Sequence, residues 1–428
     1  MKIQNFEQLA VSDARRALLT IADASLTAID TTRVMREMLR VDGETLVAGS
    51  ETIDLREIEH LVFIAVGKCA VETSLVAEEV LGDRIARGVV LDVKTRPASA
   101  PPSSRLKTFC GTHPLPSDEN LRAAEAIVQT LARLTERDLV IFVISGGGST
   151  LLFLPQDKTD RSEIDIFKAL TNAGATIQEM NVVRKHLSLA RGGYLAKYAY
   201  PARVISLVFS DVPGNDISSI ASGPTIKDAT TIEDAEKALA KFNVFKFAAK
   251  LTETPKEDKY FARVTNILAV SNVRALRAMC VAAEKLGFRA EIRGSELTGE
   301  ASEAGRTIAE TLHAAPAKSV LLWGGETTVT VRGTGSGGRN LELVASALRF
   351  IRAGEEILSL ASDGRDHGPF AGAICDTITK KAIADAGVDP EQFLANNDTY
   401  GLFEKIGNYL TTGDTGSNVS DLVIALKT

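Results

Sequence analysis

One uninterrupted apolar run in the first half of the chain ends abruptly in glycine. Leu139–Ile144 contains no polar residue, and the sequence Ser-Gly-Gly-Gly-Ser follows it directly. A run that is apolar at every position predicts a strand buried on both faces, as in a parallel sheet. Ligands of open α/β sheets bind outside the carboxyl ends of such strands. The pattern therefore predicts a binding loop, with a tight turn that needs glycine only for its dihedral angles as the alternative.

Similar runs predict the rest of a parallel sheet. Leu61–Val66, Gly88–Lys94 and Arg203–Ser210 have the same apolar character, and segments with helical spacing separate them. A helix is also predicted at the start of the chain, from about Asp13 to Asp30. Strands and helices that alternate in this way predict a doubly wound, Rossmann-like α/β domain.

The second half of the chain begins after a charged stretch without strand character, between residues 226 and 263. A domain boundary in this stretch predicts two domains, residues 1–245 and 246–428. Thr327–Arg332 alternates as a half-exposed antiparallel strand does. Buried strands are predicted at 266–271, 318–323 and 357–362, with helices between them. The second domain is therefore expected to be α/β with a mixed sheet.

Composition narrows the functional classes. Of 428 residues, 45% are hydrophobic and 24% are charged, which is typical of a globular protein with a large core. The formal net charge of −6 argues against general binding of nucleic acid. The four cysteines are widely spaced and no apolar run is long enough to span a membrane, which predicts a cytoplasmic protein without disulfides or a zinc site.

Phosphate chemistry is the first candidate for the strand ends. The residues Ser145, Gly146, Gly147, Gly148 and Ser149 could turn backbone amides toward an anion. Lys68 follows the strand that ends at Val66, where its charge could neutralise a phosphate, although a surface lysine is the simpler interpretation. A P-loop is excluded, because Val62 and Cys69 replace the glycine and the hydroxyl that the motif requires.

A second glycine loop, Gly333–Gly338, satisfies the GxGxxG pattern and favours a dinucleotide-binding enzyme as an alternative. The preceding segment alternates polar and apolar residues, whereas the first strand of a dinucleotide fold is buried on both faces. Arg339 follows the glycines directly and is suited to grip a carboxylate or a phosphate with two donors.

Carboxylates near predicted strand ends could hold Mg²⁺, although each of them singly is commoner as a turn or cap residue. They are Asp211, Asp216, Glu326, Asp363 and Asp366. Asp211 stands out because it follows an apolar strand without a break and could bind metal or accept a hydroxyl proton. His113 and His186 have polar surroundings, but the sequence does not support a Ser-His-Asp triad.

Together these loops resemble the class II glycerate kinases, also called glycerate 2-kinases, which join an N-terminal α/β domain to a C-terminal MOFRL domain. The resemblance covers nearly the whole chain. The motifs that carry it are Val66–Ala70, Gly111–Pro116, Ile144–Ser149, Asn181–His186, Ser210–Asp216, Ala221–Thr225, Gly324–Thr328, Gly335–Asn340, Ser362–Gly364 and Thr412–Asn418. Ser362 and Asp414 depart from the residues that are commoner in the family.

The resemblance implies ATP-dependent phosphorylation of D-glycerate at the 2-hydroxyl, with Mg²⁺, in a cleft between the domains. It implies that Lys68, Asp211 and Arg339 are the essential residues. Residues expected to bind nucleotide or phosphate are Ser145, Gly146, Gly147, Gly148, Ser149, Gly335, Gly337 and Gly338. Substrate candidates are His113, Arg184, Lys185, Asn215 and Asn340, and metal candidates are Asp211, Glu326 and Asp363.

Three alternatives remain open at this point. Some relatives of this kind have been labelled hydroxypyruvate reductases, so an NAD(P)H-dependent reductase is the second enzyme hypothesis. A kinase of a related small hydroxy acid and a non-catalytic sensor of nucleotide or sugar acid are the others. Small-molecule partners are expected, without nucleic acid or membrane, and a homodimer is compatible with the sequence.

Overall fold

The computed structural model describes residues 1–95, 104–212, 214, 216–244 and 250–428. Asn215 and most of the proline-rich segment 96–104 lie outside the described residues. The strands are β1 (Leu39–Asp42), β2 (Thr45–Ala48), β3 (Glu51–Asp54), β4 (Leu61–Val66), β5 (Ile85–Asp92), β6 (Leu106–Cys110), β7 (Leu139–Ser145), β8 (Arg203–Phe209), β9 (Val264–Val270), β10 (Arg289–Leu297), β11 (Ser319–Gly325), β12 (Glu355–Ala361), β13 (Gly372–Cys375), β14 (Tyr409–Leu410) and β15 (Asp421–Lys427).

The helices connect these strands. They are α1 (Phe6–Leu9), α2 (Asp13–Ala28), α3 (Thr31–Met38), α4 (Ala70–Leu81), α5 (Asp118–Thr130), α6 (Gly148–Leu151), α7 (Ser162–Asn172), α8 (Ile177–Leu187), α9 (Tyr194–Ala199), α10 (Ile232–Lys241), α11 (Asn272–Lys285), α12 (Ala301–Ala314), α13 (Arg339–Ala347), α14 (Thr377–Ala386), α15 (Pro390–Ala395) and α16 (Thr399–Ile406). No described helix is both long and apolar enough to cross a membrane.

Contacts among the described residues divide the chain into two compact units. The N-terminal unit contains Thr31–Ser210 and Asp216–Ala269. The C-terminal unit contains Met1–Asp30, a short segment that begins at Asp211, and Val270–Thr428. The domain boundary after residue 245 stays a prediction from composition. The contacts instead divide the two units between Ala269 and Val270.

The N-terminal unit is built on a sheet with the strand order β6-β5-β4-β7-β8-β9. The pairs β4–β5, β5–β6, β4–β7 and β7–β8 are parallel, and β4 and β7 are buried along their whole length. The chain winds outward from β4 to one edge and then from β7 to the other, so the strand order reverses between them. This reversal is the switch point at which doubly wound sheets bind ligands, and the predicted doubly wound fold is confirmed.

The strand predicted at residues 266–271 does not belong to the sheet of the second domain. Residues 266–270 lie in β9, which extends the N-terminal sheet beyond β8, and Ser271 precedes α11. The charged stretch before it suggested a new domain, but the chain returns to the first sheet and adds an edge strand. An edge strand is less buried than a central one, and most of β9 is only half-buried.

The C-terminal unit contains the mixed sheet that the sequence predicts, in the order β10-β11-β15-β12-β13-β14. Strands β10 and β11 are parallel, and the other pairs are antiparallel. The predicted strand at Thr327–Arg332 is wrong, because only Thr328 forms a bridge, with Glu300. An alternating segment needs a neighbouring strand, and β11, which precedes it, is already flanked by β10 and β15.

The first long helix, α2, packs within the C-terminal unit. Helix α2 contacts α11, β12 and β15. Arg15 of α2 forms a buried two-point ion pair with Asp376, with Nε–Oδ2 2.6 Å and Nη2–Oδ1 2.8 Å apart. These contacts explain why an amphipathic helix stands before the first strand of the chain.

Glu356 in β12 allows a test of pH-dependent stability. Burial and the nearby Asp376 raise its pKa to about 7 from 4.5, so folding favours the protonated form. Its contribution to stability is complete below pH 4.5 and is lost as the pH rises through about 7. Glu356→Gln stays neutral, so it should gain stability relative to the wild type across this window, by about 3 kcal/mol at most.

Melting midpoints at pH 5 and pH 8 measure this difference. Glu303→Gln, on the exposed face of α12, is the matched control. The explanation fails if Glu356→Gln and Glu303→Gln shift the midpoint alike at both pH values.

Candidate active site

The switch point of the N-terminal sheet brings two loops together. Val66 of β4 pairs with Ile144 of β7, so the segments that follow them leave the sheet side by side. The amide of Lys68 donates to the carbonyl of Gly146 at 3.0 Å. Gly67 has φ +121°, and a Cβ added there would lie 2.1 Å from Oγ of Ser145. Glycine is therefore required at this crossing, and the exposed Lys68 is held against the glycine loop by its backbone.

The glycine loop presents backbone donors. Gly147 has φ +82°, in the left-handed region, and the single-turn helix α6 begins at Gly148. Among the described residues, no acceptor is found for the amides of Gly147, Gly148 and Ser149. Successive amides without partners form the kind of concavity that binds anions.

Positive side chains surround this loop. A Cβ at Gly147 would lie 3.3 Å from Cγ of Lys68 and 3.5 Å from Cδ2 of His113. Loss of solvation, together with the charges of Lys68 and Arg184, lowers the pKa of His113. A neutral imidazole at physiological pH follows, which can donate or accept one hydrogen bond beside a cationic group.

The three residues of the motif Arg184-Lys185-His186 on α8 have different partners. Nη2 of Arg184 lies 3.4 Å from Oγ1 of Thr150, and its guanidinium stacks over Phe167 at 3.9 Å. Burial, and then the charge of Arg191, lower the pKa of Arg184 to about 10. Lys185 pairs with buried Asp228 at 3.0 Å, and His186 lies fully buried at 3.0 Å from the carbonyl of Thr252. Arg184 therefore faces the glycine loop, whereas Lys185 and His186 support the core.

A hydroxyl chain that the sequence did not single out supports the loop. Oγ of Ser149 lies 2.9 Å from Oγ of Ser222, which donates to Oδ1 of Asn181 at 3.1 Å. Ala221 and Ser222 have left-handed φ values of +51° and +58°. Such backbone is costly for residues with a side chain and clusters at functional sites. The motif Ala221–Thr225 was the available signal, but its dihedral angles cannot be derived from its composition.

The C-terminal unit places Arg339 between two carboxylates. Its Nε and Nη2 contact Asp421 at 2.5 and 3.2 Å, and its Nη1 contacts Glu326 at 2.9 Å. Burial disfavours the charge, but the Asp421 hydrogen bond and the two negative charges outweigh it and raise the pKa of Arg339. Burial raises the pKa of Asp421 to about 6 against the lowering effect of Arg339.

Arg339 and Glu326 line an open pocket of about 770 Å³ in the C-terminal unit. Other lining residues are Thr327, Thr328, Gly335, Gly337, Gly338, Glu342, Asp366, His367 and Asn397. Burial raises the pKa of Glu342 and of Asp366. The pocket is therefore lined by acidic groups around a single arginine, which suits hydroxyl groups and cations as well as an anion held on Arg339.

The second glycine loop is packed against the segment 396–399. The amide of Gly335 donates to the carbonyl of Asn396 at 2.9 Å, and side-chain oxygens of Asn396–Asp398 accept from the amides of Arg332, Gly333, Thr334 and Ser336. A Cβ at Gly337 would lie 2.2 Å from Oγ1 of Thr399, and one at Gly338 would lie 2.3 Å from Cγ of Asp366. These glycines allow close packing, and the loop does not have the form of a dinucleotide turn. Phosphate binding by Gly335, Gly337 and Gly338 stays a prediction.

The predicted metal and substrate residues of the C-terminal unit have different environments. Asp363 accepts the amide of Arg365 at 3.0 Å. Buried Asn340 bridges Asp366 and Ser359. Asp211 accepts a 2.9 Å hydrogen bond from Ser420 on its backbone carbonyl. No group of three or more metal-binding side chains is formed by the described residues.

Gly147 permits a direct test of the glycine loop. If ATP and glycerate are the ligands, as the family resemblance implies, Gly147→Val should weaken ATP binding more than glycerate binding, because the new side chain would meet Lys68 and His113 and would strain a left-handed residue. Gly174→Val is the matched control, because Gly174 has φ +76° and nothing within 4 Å of its Cβ position.

Calorimetry measures the ATP affinity of both variants. A loss in Gly147→Val alone would come from the glycine loop, whereas a similar loss in both variants would come from backbone strain. A folded Gly147→Val protein with the nucleotide affinity of Gly174→Val would reduce the loop to a structural turn.

A doubly wound sheet with a lysine and a glycine loop at its switch point, joined to a mixed-sheet unit, defines a two-unit α/β enzyme. Residues 17–254 match the family described as a domain of unknown function, DUF4147, and residues 319–421 match the MOFRL family. The D-glycerate 2-kinase of Thermotoga maritima is 40% identical over 397 residues, which cover 89% of this chain and 93% of the relative.

A second relative and a solved structure indicate the same family. The glycerate 2-kinase of Pyrococcus horikoshii is 35% identical over 443 residues, covering 97% of this chain and 98% of the relative. A crystal structure of glycerate kinase from Thermotoga maritima is similar with a TM-score of 0.85 at 33% identity, covering 96% of this chain and 99% of that chain. The chain belongs to the glycerate 2-kinase family, as its sequence motifs predict.

Proposed function

We propose that this protein transfers the γ-phosphoryl group of ATP to the 2-hydroxyl of D-glycerate, giving 2-phosphoglycerate and ADP. Family membership supports the reaction class. The observation that carries the proposal is the cluster at the N-terminal switch point, where Lys68 lies against amides of Gly147–Ser149 that have no acceptor among the described residues. Fixed donors and a cation without a bound carboxylate are what a phosphate chain requires.

In this proposal Lys68 and the Gly147–Ser149 amides bind and orient phosphate oxygens. Arg184 adds positive charge from behind the loop, and neutral His113 can donate one hydrogen bond without adding a further charge. Phosphoryl transfer needs little covalent chemistry from the protein, since positioning and charge stabilisation supply most of the catalysis.

Asp211 and Arg339 have the complementary roles. Asp211 accepts the proton of the 2-hydroxyl as its oxygen attacks the γ-phosphorus and the bond from that phosphorus to the β,γ-bridging oxygen breaks, so that ADP leaves with the electron pair. Arg339 holds the carboxylate of glycerate, because a guanidinium matches a carboxylate with two donors.

We infer that Mg²⁺ accompanies ATP. Mg²⁺ is usually held by one or two carboxylates plus substrate phosphates. Asp211 and Asp363 are the acids proposed to approach it, whereas Glu326 is engaged by Arg339. When bound, the ion neutralises charge on the phosphate oxygens.

No described feature favours the reductase alternative. Its sequence basis was the loop Gly333–Gly338, whose amides are largely bonded to Asn396–Asp398 and which does not follow a buried parallel strand. Incubation with NADH and hydroxypyruvate should therefore leave the absorbance at the nicotinamide wavelength unchanged.

The decisive experiment is incubation with ATP, Mg²⁺ and D-glycerate, followed by phosphorus NMR. A 2-phosphoglycerate signal supports the proposal, and a 3-phosphoglycerate signal would correct the site of transfer. L-Glycerate and other small hydroxy acids, run in parallel, test the acceptor. ATP consumption that no acceptor stimulates would sink the proposal.

We also infer a cytoplasmic location, since ATP and four widely spaced cysteines suit a reducing compartment. Cell fractionation tests it. A homodimer stays a prediction, for which light scattering after size exclusion is the measurement.

A further inference from the structure

A pair of neighbouring residues holds two of the proposed catalytic groups in the C-terminal unit. Asp421 forms the two-point contact with the Arg339 side chain, and Ser420 donates to the backbone carbonyl of Asp211 at 2.9 Å. We propose that Asp421 is a positioning residue for phosphoryl transfer, which acts by fixing the guanidinium plane of Arg339. This inference rests on the proposed function.

The fold explains why Asp421 lies where it does. It is the first residue of β15, the strand between β11 and β12, and it pairs with Gly325 and with Ala361. Because β15 is antiparallel to both neighbours, its beginning lies at their carboxyl ends. The side chain of Asp421 therefore emerges among the loops that carry Glu326 and Asp363.

The segment before β15 is itself anchored. Oγ of Ser362 accepts the amide of Val419 at 2.8 Å, and the carbonyl of Ser420 accepts the amide of Ser362 at 3.1 Å. Ser420 has φ +67°, and Oδ1 of Asn418 accepts its amide at 2.9 Å. A left-handed residue fixed on both sides gives Asp421 a defined direction.

The contact leaves one edge of the guanidinium toward the pocket. Asp421, whose side chain is 6% exposed, occupies Nε and Nη2, and the Arg339 side chain is 34% exposed. Nη1 contacts Glu326, whose side chain is 44% exposed. Asp421 is buried and therefore holds the guanidinium of Arg339 in place. Glu326 is exposed, so a substrate anion can displace it from Nη1.

A second buried pair in the same unit is a matched control. Arg15 and Asp376 repeat the arrangement, with Nε–Oδ2 at 2.6 Å and Nη2–Oδ1 at 2.8 Å, and their side chains are 3% and 2% exposed. Asp376→Asn removes the same kind of ion pair between α2 and the N-cap of α14, and neither residue is among the proposed catalytic groups. An effect that both Asp421→Asn and Asp376→Asn show would come from the loss of a buried ion pair and not from the position of Arg339.

We expect Asp421→Asn to lower kcat/KM for glycerate by about tenfold or more, because displacement of a substrate-binding group costs rate even when the fold survives. Arg339→Lys and Asp421→Asn should change KM and kcat in the same proportions. The double variant should have a kcat/KM little lower than that of either single variant. Asp421→Glu should recover part of the loss because it keeps the charge. Asp376→Asn should keep the wild-type kcat/KM at temperatures where it is folded.

A chemical measurement tests the positioning without turnover. Phenylglyoxal modifies uncharged guanidinium groups, and the Asp421 contact stabilises the charged form of Arg339. The modification rate of Arg339, read by peptide mass spectrometry, should rise about threefold or more in Asp421→Asn and stay unchanged in Asp376→Asn. Ser420→Ala keeps this ion pair and should leave the rate at the wild-type value, which provides a second folded comparison.

The results separate this inference from the proposed function. A wild-type protein without glycerate kinase activity would overturn the function, and the modification rates would still decide the role of Asp421. If Asp421→Asn equals Asp376→Asn in both kcat/KM and the Arg339 modification rate, Asp421 is only a structural ion-pair partner.

Discussion

Lys68→Ala should lower kcat by at least about a hundredfold while the melting midpoint stays within the range of the wild type, because a preorganised charge stabilises the transition state by several kcal/mol. The side chain of Lys68 is exposed, and its anchoring contact, the amide donation to Gly146, belongs to the backbone. Alanine keeps that contact and removes the ammonium group together with its exposed methylene chain, so the loss should be catalytic and not structural.

Lys107→Ala is the matched control for Lys68. Lys107 is an exposed lysine on β6, the edge strand of the same sheet. Its replacement changes the net charge equally and should leave kcat unaltered. Near-normal turnover of Lys68→Ala, or an equal loss in both variants, would remove Lys68 from the mechanism.

Asp211→Asn should reduce kcat by about a hundredfold or more, since general base catalysis typically contributes that much and asparagine cannot accept the hydroxyl proton. The hydrogen bond from Ser420 goes to the backbone carbonyl of Asp211, which the substitution keeps. Asparagine also keeps the shape of the aspartate side chain, so the melting midpoint should change little.

Asp216→Asn is the control in the same loop. Asp216 accepts the amide of Ser218 at 3.0 Å and the hydroxyl of Ser219 at 2.6 Å, which is a turn-stabilising role. Steady-state kinetics with varied Mg²⁺ should show a large kcat loss for Asp211→Asn and a small one for Asp216→Asn. A wild-type rate and Mg²⁺ dependence in Asp211→Asn would contradict its assignment as base or metal ligand.

The N-terminal cluster could be predicted because its signal is local. Leu61–Val66 and Leu139–Ser145 are apolar at nearly every position, and each run passes directly into the chemistry-bearing residues. In a doubly wound sheet such strands are central neighbours. Lys68 and the glycine loop therefore had to meet at the carboxyl ends of these two strands.

The environment of Arg339 could not be predicted in this way. Its partner Asp421 is 82 positions away in the sequence and belongs to β15, a strand that no pattern singled out. Pairing in a mixed sheet depends on which antiparallel neighbour fills each place, and periodicity does not carry that information. The prediction of an anion clamp at Arg339 therefore omitted the contacts of its guanidinium with Asp421 and Glu326.

The packing of α2 has a consequence for synthesis of the chain. This helix is made early, but α11, β12 and β15, which cover its apolar face, are made much later. During translation α11 can cover part of this face first, but the cover is complete only after β15 has been added, and sequence-distant contacts of this kind form slowly. A chain that terminates before β15 lacks part of this cover for good, so chaperones and proteases can distinguish it from a chain that contains β15 by the exposed surface of α2.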